Sequence, residues 1–222
     1  EEYFDGFGNL CSRVNAPLGF TQVGFRSEAI IHDSGLPDEV NWGAWQHDPT
    51  VLPSATLTYL LPSRYCESER FFEMADSIVQ GVLPGYDQVA CITDWIRHAV
   101  RFDPSSSYDY MSASDVNQHR QGVCRDLAHL GIALCRGLCI PARMVVGYLY
   151  GLAPMDLHAW FEAYVGGRWY TFDPTQDAPR GGRVAVAYGH DAANVAIFSQ
   201  FGPALNPTLM QVGVELLANP PD

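Results

Sequence analysis

The sequence predicts an α+β fold, in which helices come first and an antiparallel sheet follows them. Apolar side chains recur at helical spacing within residues 68–137. After this region the chain changes to short segments rich in β-branched and aromatic residues, which are typical of strands. Two of these segments, 158–165 and 168–172, are separated only by Gly166 and Gly167, which is a hairpin connection. These three observations indicate helices packed on one antiparallel sheet.

The first quarter of the chain differs from the rest in charge and pattern. Residues 1–53 hold eight acidic side chains against two arginines, although the whole chain of 222 residues has a net charge of only -12. Turn-forming residues at 5–9 and an extended stretch at 25–31 indicate short strands, and 36–53 has the prolines of a connection. We therefore divide the chain into a β-rich leader at 1–53, interpreted as the end of an N-terminal β-domain with its connection, and a core at 54–222.

Three helices are predicted in the first half of the core. The first begins near Ser68, which is a favoured N-cap residue type, and ends at Gly81. The second runs from about Gly85 to residue 99, and the third covers 123–136. The later part of the core is predicted to form strands at 144–150, 158–165, 168–172, 184–188 and 210–217.

The composition excludes several classes of function. All 13 basic residues are arginine, so no lysine is present for Schiff-base or phosphate-loop chemistry. The net charge of -12 argues against binding of a phosphate backbone, and no apolar run approaches the roughly 18 residues of a membrane span. Six cysteines without the dense spacing of a secreted disulfide framework indicate a reducing compartment. We therefore expect a cytoplasmic protein that binds neither nucleic acid nor a membrane.

The two-glycine turn fixes the pairing of the two strands that it joins, because both glycines accept the positive φ angles of a type I′ turn. Val165 then pairs with Arg168. Since side chains alternate between the two faces of a sheet, His158 and Asp173 are diagonal neighbours on one face. Diagonal neighbours lie about 7 to 8 Å apart at the backbone, which allows an imidazole and a carboxylate to form a hydrogen bond.

Cys124 is the best-placed nucleophile for such a histidine and carboxylate. It begins the third predicted helix, and the positive end of a helix dipole favours a reactive thiolate. The amides of the first helical turn have no intrahelical acceptor and can hold an oxyanion, and Gly122 lets a substrate carbonyl approach. Cys124, His158 and Asp173 are therefore a candidate nucleophile, general acid/base and orienting carboxylate.

Each of these residues also has a structural interpretation. A cysteine at the head of an apolar helix is often a packing residue, a histidine in an aromatic strand often has structural partners, and Asp173 before a proline often starts a turn. A zinc site made by Cys124, Cys135, Cys139 and His158 is a further alternative, but the sulfurs would point apart. We expect Cys135 and Cys139 to pack in the core, and we expect neither a metal nor a cofactor.

Four ordered sequence blocks resemble a known family. The blocks are 122–130 (GVCRDLAHL), 137–143 (GLCIPAR), 156–160 (DLHAW) and 169–175 (WYTFDPT). They are similar to the core motifs of the transglutaminase-like superfamily, specifically its bacterial cysteine protease branch, over about residues 55–200. The leader and residues 61–65 look like the end of the β-rich region that precedes the core in this branch, and 189–195 is similar to a loop that follows the catalytic aspartate.

The resemblance implies a papain-like, transglutaminase-like core with Cys124 as nucleophile, His158 as general acid/base and Asp173 as its orienting partner. It also implies structural roles for Asp126 and His129. The resemblance does not select the side chain that completes an oxyanion site or contacts the substrate. The candidates for these roles are Gln118, Gln121, Tyr108, Tyr110 and Trp160.

The predicted triad is expected to catalyse acyl transfer from an amide or ester to a second nucleophile. If water is the second nucleophile, the protein is a cysteine protease or amidase; if a primary amine is, the protein is a transglutaminase. We favour hydrolysis of a peptide or protein substrate, because no acidic calcium loop of the animal cross-linking enzymes is recognisable. Two other functions remain open: a non-catalytic binding module on the same fold, and acetyl transfer from a thioester as in arylamine acetyltransferases.

Overall fold

An antiparallel sheet follows a group of helices, so the predicted α+β architecture is confirmed. The computed structural model describes residues 1–16, 19–106, 110–202 and 208–217. The helices are α1 (Ser54–Leu57), α2 (Phe72–Ile78), α3 (Tyr86–Ala99), α4 (Ala113–His119) and α5 (Cys124–Gly137). The strands are β1 (Glu2–Phe4), β2 (Leu10–Ser12), β3 (Arg101–Phe102), β4 (Gln121–Gly122), β5 (Ala142–Leu149), β6 (His158–Val165), β7 (Arg168–Phe172) and β8 (Arg183–Gly189). Within the described ranges, none of the helices has the length and apolar character needed to cross a membrane.

The helical part differs from the prediction at two places. The helix expected from Ser68 begins as a 3-10 turn over 68–70, and α2 starts only at Phe72. Helix α4 is not among the predicted elements, although Ser112 and Asp115 form a capping box at its start. A helix of seven residues is too short to show a clear apolar period in the sequence. Its capping residues therefore indicate the helix better than its apolar pattern does.

Two predicted strands are absent from the structure. The stretches 25–31 and 210–217 lie among the described residues and form no strand; the first is exposed, and the second is exposed except for the half-buried Val212 and Val214. Extended backbone becomes a strand only where a second strand completes its hydrogen bonds. These stretches have the side chains of strands but no partner strand within the described part of the chain.

The main sheet has the strand order β7-β6-β5-β8, and every neighbouring pair is antiparallel. The predicted hairpin register is confirmed, since Val165 pairs with Arg168 at the turn. Both turn glycines have positive φ angles, of 58° and 84°, as a type I′ turn requires. The edge strand β8 pairs with β5 through a bulge between Val146 and Gly147, and its first residue is Arg183.

Helix α5 is the centre of the core, because the other helices and the sheet cover most of its length. Its most deeply buried large apolar side chains are Leu127, Leu130, Ile132 and Leu134. Gly131 allows the helix to approach β6 closely, since a Cβ atom there would lie 2.5 Å from Cε1 of Phe161. Burial stabilises the fold by about 1.5 to 3 kcal/mol for each large apolar side chain. This packing fixes the position of Cys124, the first residue of α5.

Arg136 is a buried cation that connects the end of α5 to three other segments. It is 3% exposed, and all five of its N–H groups have acceptors. Nε and Nη2 donate to the Ala142 carbonyl, Nη1 donates to the Leu61 carbonyl and the Ser63 hydroxyl, and Nη2 also donates to the His190 carbonyl. The guanidinium therefore holds the loop before α2, the start of β5 and the loop after β8 together.

The expectation for the two cysteines near the end of α5 is correct for Cys135 and wrong for Cys139. Cys135 is fully buried, whereas Cys139 is exposed. The reason is the way in which the helix ends: the Ile140 amide donates to the Cys135 carbonyl at 3.0 Å, and Cys139 has a φ angle of 59°. This left-handed residue terminates the helix and directs its side chain to solvent.

The leader contacts the core at both ends of the sheet. Strands β1 and β2 form a hairpin, and the buried Asn9 between them pairs with the backbone of Tyr188 on β8. The Asn9 amide donates to the Tyr188 carbonyl at 2.8 Å and accepts from the Tyr188 amide at 2.8 Å. At the opposite edge, the Gly166 amide in the β6-β7 turn donates to the Trp45 carbonyl at 2.8 Å. The leader is thus hydrogen-bonded to backbone groups at both edges, through the Asn9 side chain at β8 and through the Trp45 carbonyl at the β6-β7 turn.

Gly147→Ala is expected to lower the free energy of unfolding by about 1 to 3 kcal/mol, measured by urea denaturation. An added Cβ atom would overlap the Val184 carbonyl oxygen, which is a backbone atom of β8 and cannot move without displacing the strand. Gly24→Ala is the matched control, since nothing lies within 4 Å of its Cβ position. We expect the control to change stability by less than about 0.5 kcal/mol. Equal stabilities of the two variants would contradict the bulge packing described above.

Candidate active site

His158 and Asp173 form a hydrogen-bonded pair at one end of the β6-β7 hairpin. Nε2 of His158 lies 2.7 Å from Oδ2 of Asp173, and each side chain is only 3% exposed. The predicted proximity of the two residues is therefore observed. Because Nε2 is engaged with the carboxylate, Nδ1 is the ring nitrogen that remains for another partner.

Four donors surround the Asp173 carboxylate. Oδ1 accepts from the Thr175 amide at 3.0 Å and from the Thr175 hydroxyl at 2.7 Å. Oδ2 accepts from His158 and also from Nη1 of Arg183 at 3.0 Å. These bonds replace the hydration that the buried carboxylate has lost and hold it in one orientation.

Cys124 is the first residue of α5, and its thiol forms a hydrogen bond with the His158 ring. The residue is half-buried. The start of the helix is fixed by Asp126, whose Oδ2 accepts from the Val123 amide at 3.1 Å. Gly122 is required before it, because a Cβ atom there would lie 2.8 Å from Cβ of Asp126.

The partners of His158 determine its charge. Burial disfavours the imidazolium, but the hydrogen bonds with Asp173 and Cys124 outweigh burial and raise the pKa of His158 to about 9. Burial also disfavours the Asp173 carboxylate, yet the hydrogen bond and charge of His158, with the charge of Arg183, lower the pKa of Asp173 to about 2. At neutral pH the pair is therefore an imidazolium and a carboxylate.

The candidate oxyanion and substrate residues lie in different environments. Gln121 is next to β3, and its Oε1 accepts from Nη2 of Arg101 at 2.7 Å, whereas Gln118 is exposed in the last turn of α4. Tyr108 lies outside the described residues. The roles of these three side chains stay predictions.

The two aromatic candidates also differ in exposure. Tyr110 is 53% exposed, stacks on Tyr65, and has the guanidinium of Arg125 at 4.2 Å from its ring centre. Trp160 is 2% exposed and lies between His158 and Arg183, with ring-centre distances of 6.0 Å and 5.0 Å. Tyr110 is therefore accessible to a substrate near the start of α5, whereas Trp160 packs behind the imidazole.

His129 has structural partners on both ring nitrogens. Nδ1 donates to the Met111 carbonyl at 2.9 Å, and Nε2 accepts from the Ala192 amide at 3.2 Å. Burial lowers the pKa of His129, so that the neutral ring is the form that these bonds require. The ring ties α5 to the segment before α4 and to the loop after β8.

The structure adds three residues that the sequence analysis does not assign to the site. Thr175 follows Asp173 by two positions, and an aspartate commonly accepts a hydrogen bond from the amide two residues later. The sequence next to Asp173 could therefore have identified Thr175 as its partner. Arg183 and the leader residue Asp38 had no such signal: Arg183 lies ten positions after Asp173 with no turn or period that pairs them, and Asp38 lies 145 positions before Arg183.

A thiol at the start of the central helix beside a histidine and a carboxylate on an antiparallel sheet is the arrangement of a papain-like core. The family model described as Transglutaminase-like superfamily matches residues 73–174, a range that includes Cys124, His158 and Asp173. Residues 73–174 thus form a transglutaminase-like core, as the sequence blocks indicate.

Two relatives extend this comparison. A crystal structure from Cytophaga hutchinsonii, named a "Putative Cysteine Protease", is 44% identical and superposes with a TM-score of 0.68 over 72% of this chain and 55% of that chain. The present chain thus spans little more than half of the Cytophaga protein. The uncharacterized protein ML0607 of Mycobacterium leprae (strain TN) is 26% identical over 229 residues, which is 96% of this chain and 80% of the relative.

Among the residues that the structure describes, no three histidine, cysteine or acidic side chains are grouped so that they could hold a metal ion. Cys124 and His158 are close to each other, but Cys135 is buried in α5 and Cys139 is exposed beyond its end. The four sulfur and nitrogen atoms considered as zinc ligands therefore do not converge.

The pH dependence of stability is expected to report the paired state of His158. Its pKa of about 9 in the folded protein lies above the ordinary value of 6.5, so the pair stabilises the fold fully below about pH 6.5 and loses this contribution as the pH rises to about 9. We expect the loss to be on the order of 3 kcal/mol, measured by urea denaturation at several pH values.

His158→Gln is the control for this measurement. The variant keeps the other titrating groups, including the buried thiols of Cys66 and Cys135, so the difference between the two curves isolates His158. Parallel curves for wild type and variant between pH 6.5 and 9 would show that the imidazole is not held in its charged form.

Proposed function

We propose that the protein is a thiol-dependent acyl-transfer enzyme that hydrolyses peptide or amide bonds, a cysteine protease or amidase. Cys124 is the nucleophile, His158 the general acid/base and Asp173 the residue that orients His158. The observation that carries this proposal is the contact of the half-buried Cys124 thiol with an imidazole whose other nitrogen lies 2.7 Å from a buried carboxylate. This is the geometry in which a base activates a nucleophile and a third group orients the base.

The reaction begins when Cys124, its S–H proton transferred to His158, attacks the carbonyl carbon, which forms a C–S bond and moves the carbonyl electron pair to oxygen. The first amides of α5 are placed to stabilise this oxyanion, because they have no intrahelical acceptors. Collapse of the intermediate breaks the C–N bond, and the imidazolium of His158 gives its proton to the departing amine. His158 then removes a proton from water, which attacks the thioester and releases a carboxylic acid and the Cys124 thiol.

The surroundings of the other cysteines support the choice of Cys124. Burial raises the pKa of Cys66 to about 12 and raises the pKa of Cys135 as well, so that both thiols stay protonated in the folded protein. Burial also raises the pKa of Cys91 on α3. Cys124 alone among these four adjoins an imidazole, which is the group that can take the proton of a thiol nucleophile.

The preference for water over an amine rests on the relative with 44% identity, whose printed name is that of a cysteine protease. The superfamily name alone does not distinguish the two reactions, because both use the same acyl-enzyme. The substrate class that follows is a peptide or protein with an accessible amide.

Cys124→Ala is expected to reduce hydrolysis by at least about 10³-fold, because the variant has no atom that can form the acyl-enzyme. The measurement is cleavage of a peptide library by wild type and variant, followed by mass spectrometry. Cys91→Ala is the matched control and should keep wild-type cleavage, since Cys91 lies on α3 away from the triad. If no library peptide is cleaved in a Cys124-dependent way and Cys124 alkylates no faster than Cys91, a non-catalytic binding module becomes the better interpretation.

The choice between water and amine has a direct test. With a glutamine-containing peptide and a fluorescent primary amine, we expect formation of the deamidated (glutamate) peptide or of a cleaved fragment to exceed amine incorporation at least about tenfold. Both products come from the same acyl-enzyme, so Cys124→Ala should abolish both. Incorporation that exceeds hydrolysis would identify a transglutaminase instead. Turnover of an acetyl thioester in a parallel reaction would favour the arylamine acetyltransferase alternative.

A further inference from the structure

A chain of alternating charges continues beyond the triad. Oδ2 of Asp173, the oxygen that accepts from His158, also accepts from Nη1 of Arg183 at 3.0 Å. Nε of Arg183 in turn lies 3.0 Å and 2.9 Å from the two carboxylate oxygens of Asp38. The order of groups is therefore leader carboxylate, guanidinium, triad carboxylate and imidazole.

The guanidinium and both carboxylates are withdrawn from solvent. The side chains of Arg183, Asp38 and Asp173 are 8%, 14% and 3% exposed, and the guanidinium lies 5.0 Å from the ring centre of Trp160. Charges interact more strongly where water is excluded, so each member of the chain influences the next. An exposed ion pair would have little such influence.

Asp38 is held in place by the backbone as well as by its charge. Its amide donates to the Arg180 carbonyl at 3.0 Å, and its Oδ2 accepts from the Arg180 amide at 3.2 Å. The leader residue is therefore fixed to the segment that leads into β8, three positions before Arg183. This double attachment sets the distance between the two side chains.

We propose that Arg183 and Asp38 are a positioning pair for the catalytic triad, so that the leader supplies a functional part of the active site. This inference rests on the proposed function of Cys124, His158 and Asp173. Arg183 holds Asp173 in the orientation that His158 needs, and Asp38 neutralises Arg183. A contact that displaces Asp38 from Arg183 therefore lowers activity without touching the substrate.

The Asp38 carboxylate is needed because Arg183 and His158 share one oxygen of Asp173. Arg183 and His158 donate to the same Oδ2 of Asp173, so an uncompensated guanidinium would add positive charge beside the imidazolium and disfavour it. Asp38 offsets that charge through both of its oxygens. The imidazole then keeps its proton until it transfers it to the leaving amine.

The charged groups on the two elements that carry Cys124 and His158 have partners of their own. On α5, Cys124 contacts the ring directly, and Asp126 pairs with Nε of Arg125 at 2.8 Å. On β6, Glu162 pairs with Arg143 at 2.6 Å. These pairs stay unchanged when Asp38 or Arg183 is replaced, so a shift in the His158 titration reports the positioning pair.

The test measures the pKa of His158 directly, by NMR titration of the ¹⁵N-labelled histidine rings, with the resonance assigned through His158→Gln. Asp38→Asn should lower the pKa by about one pH unit, because it leaves Arg183 uncompensated. Arg183→Met should raise it, because it removes the positive charge and leaves Asp38. The double variant should return close to wild type, since it removes one charge of each sign.

Glu39→Gln is the matched control. Glu39 is the next residue in the leader and forms an ion pair with Arg168 at 2.8 Å, but both side chains are more than half exposed. Glu39→Gln should leave the pKa of His158 unchanged. In the hydrolysis assay, both single positioning variants should lose about tenfold in kcat with KM changed less than about twofold, whereas Glu39→Gln should match wild type.

The outcomes separate this inference from the proposed function. If Cys124→Ala abolishes hydrolysis and Asp38→Asn titrates like Glu39→Gln, only the positioning pair is overturned. If Cys124→Ala keeps full activity, the proposed function fails and the inference fails with it. Thermal melting and protection of the buried Cys66 from alkylation confirm folding, and where Arg183→Met alone does not fold, Asp38→Asn and the double variant decide.

Discussion

A buried carboxylate stays ionised only when hydrogen-bond donors and positive charges replace its water, and Asp173 is the position where this constraint governs the molecule. Its two oxygens accept four hydrogen bonds, from His158, Arg183 and both donors of Thr175. The donors come from β6, from β8 and from the turn after β7, so these elements must be in place before the charge can be buried. The burial of Asp173 therefore depends on β6, β8 and this turn together.

The other half of the site depends on apolar packing instead. Helix α5 is positioned by its fully buried side chains and by the close approach of Gly131 to Phe161, and both place Cys124 against the histidine. The buried Arg136 and His129 then attach the loops around the helix by hydrogen bonds to backbone groups. A thiol, which is small and not strongly polar, is placed by packing, whereas the imidazole and carboxylate are placed by hydrogen bonds.

Local rules were sufficient to predict the parts of the site that lie close together in sequence. A two-glycine turn sets a hairpin register, and this register brings His158 to Asp173; a helix start identifies Cys124. Arg183 was not predicted because its place depends on the pairing of β8 with β5, and the register of this pair shifts at a bulge between Val146 and Gly147 that has no signal in the sequence of β8. Asp38 lies in a segment without regular structure, where no periodicity exists to assign a partner. Long-range pairing of charges is decided by the finished fold.

This arrangement gives one acidic side chain of the leader a role other than solubility. Its excess of negative charge is consistent with a solvated surface at most positions, and Glu39 pairs with Arg168 in such a setting. Asp38, one residue earlier, instead forms an ion pair with Arg183, and its side chain is only 14% exposed. A carboxylate that only improved solubility would stay in water, because removing it from water is unfavourable unless a cation compensates. The burial of Asp38 is therefore explained by what its partner does, and that partner lies next to the residue that orients His158.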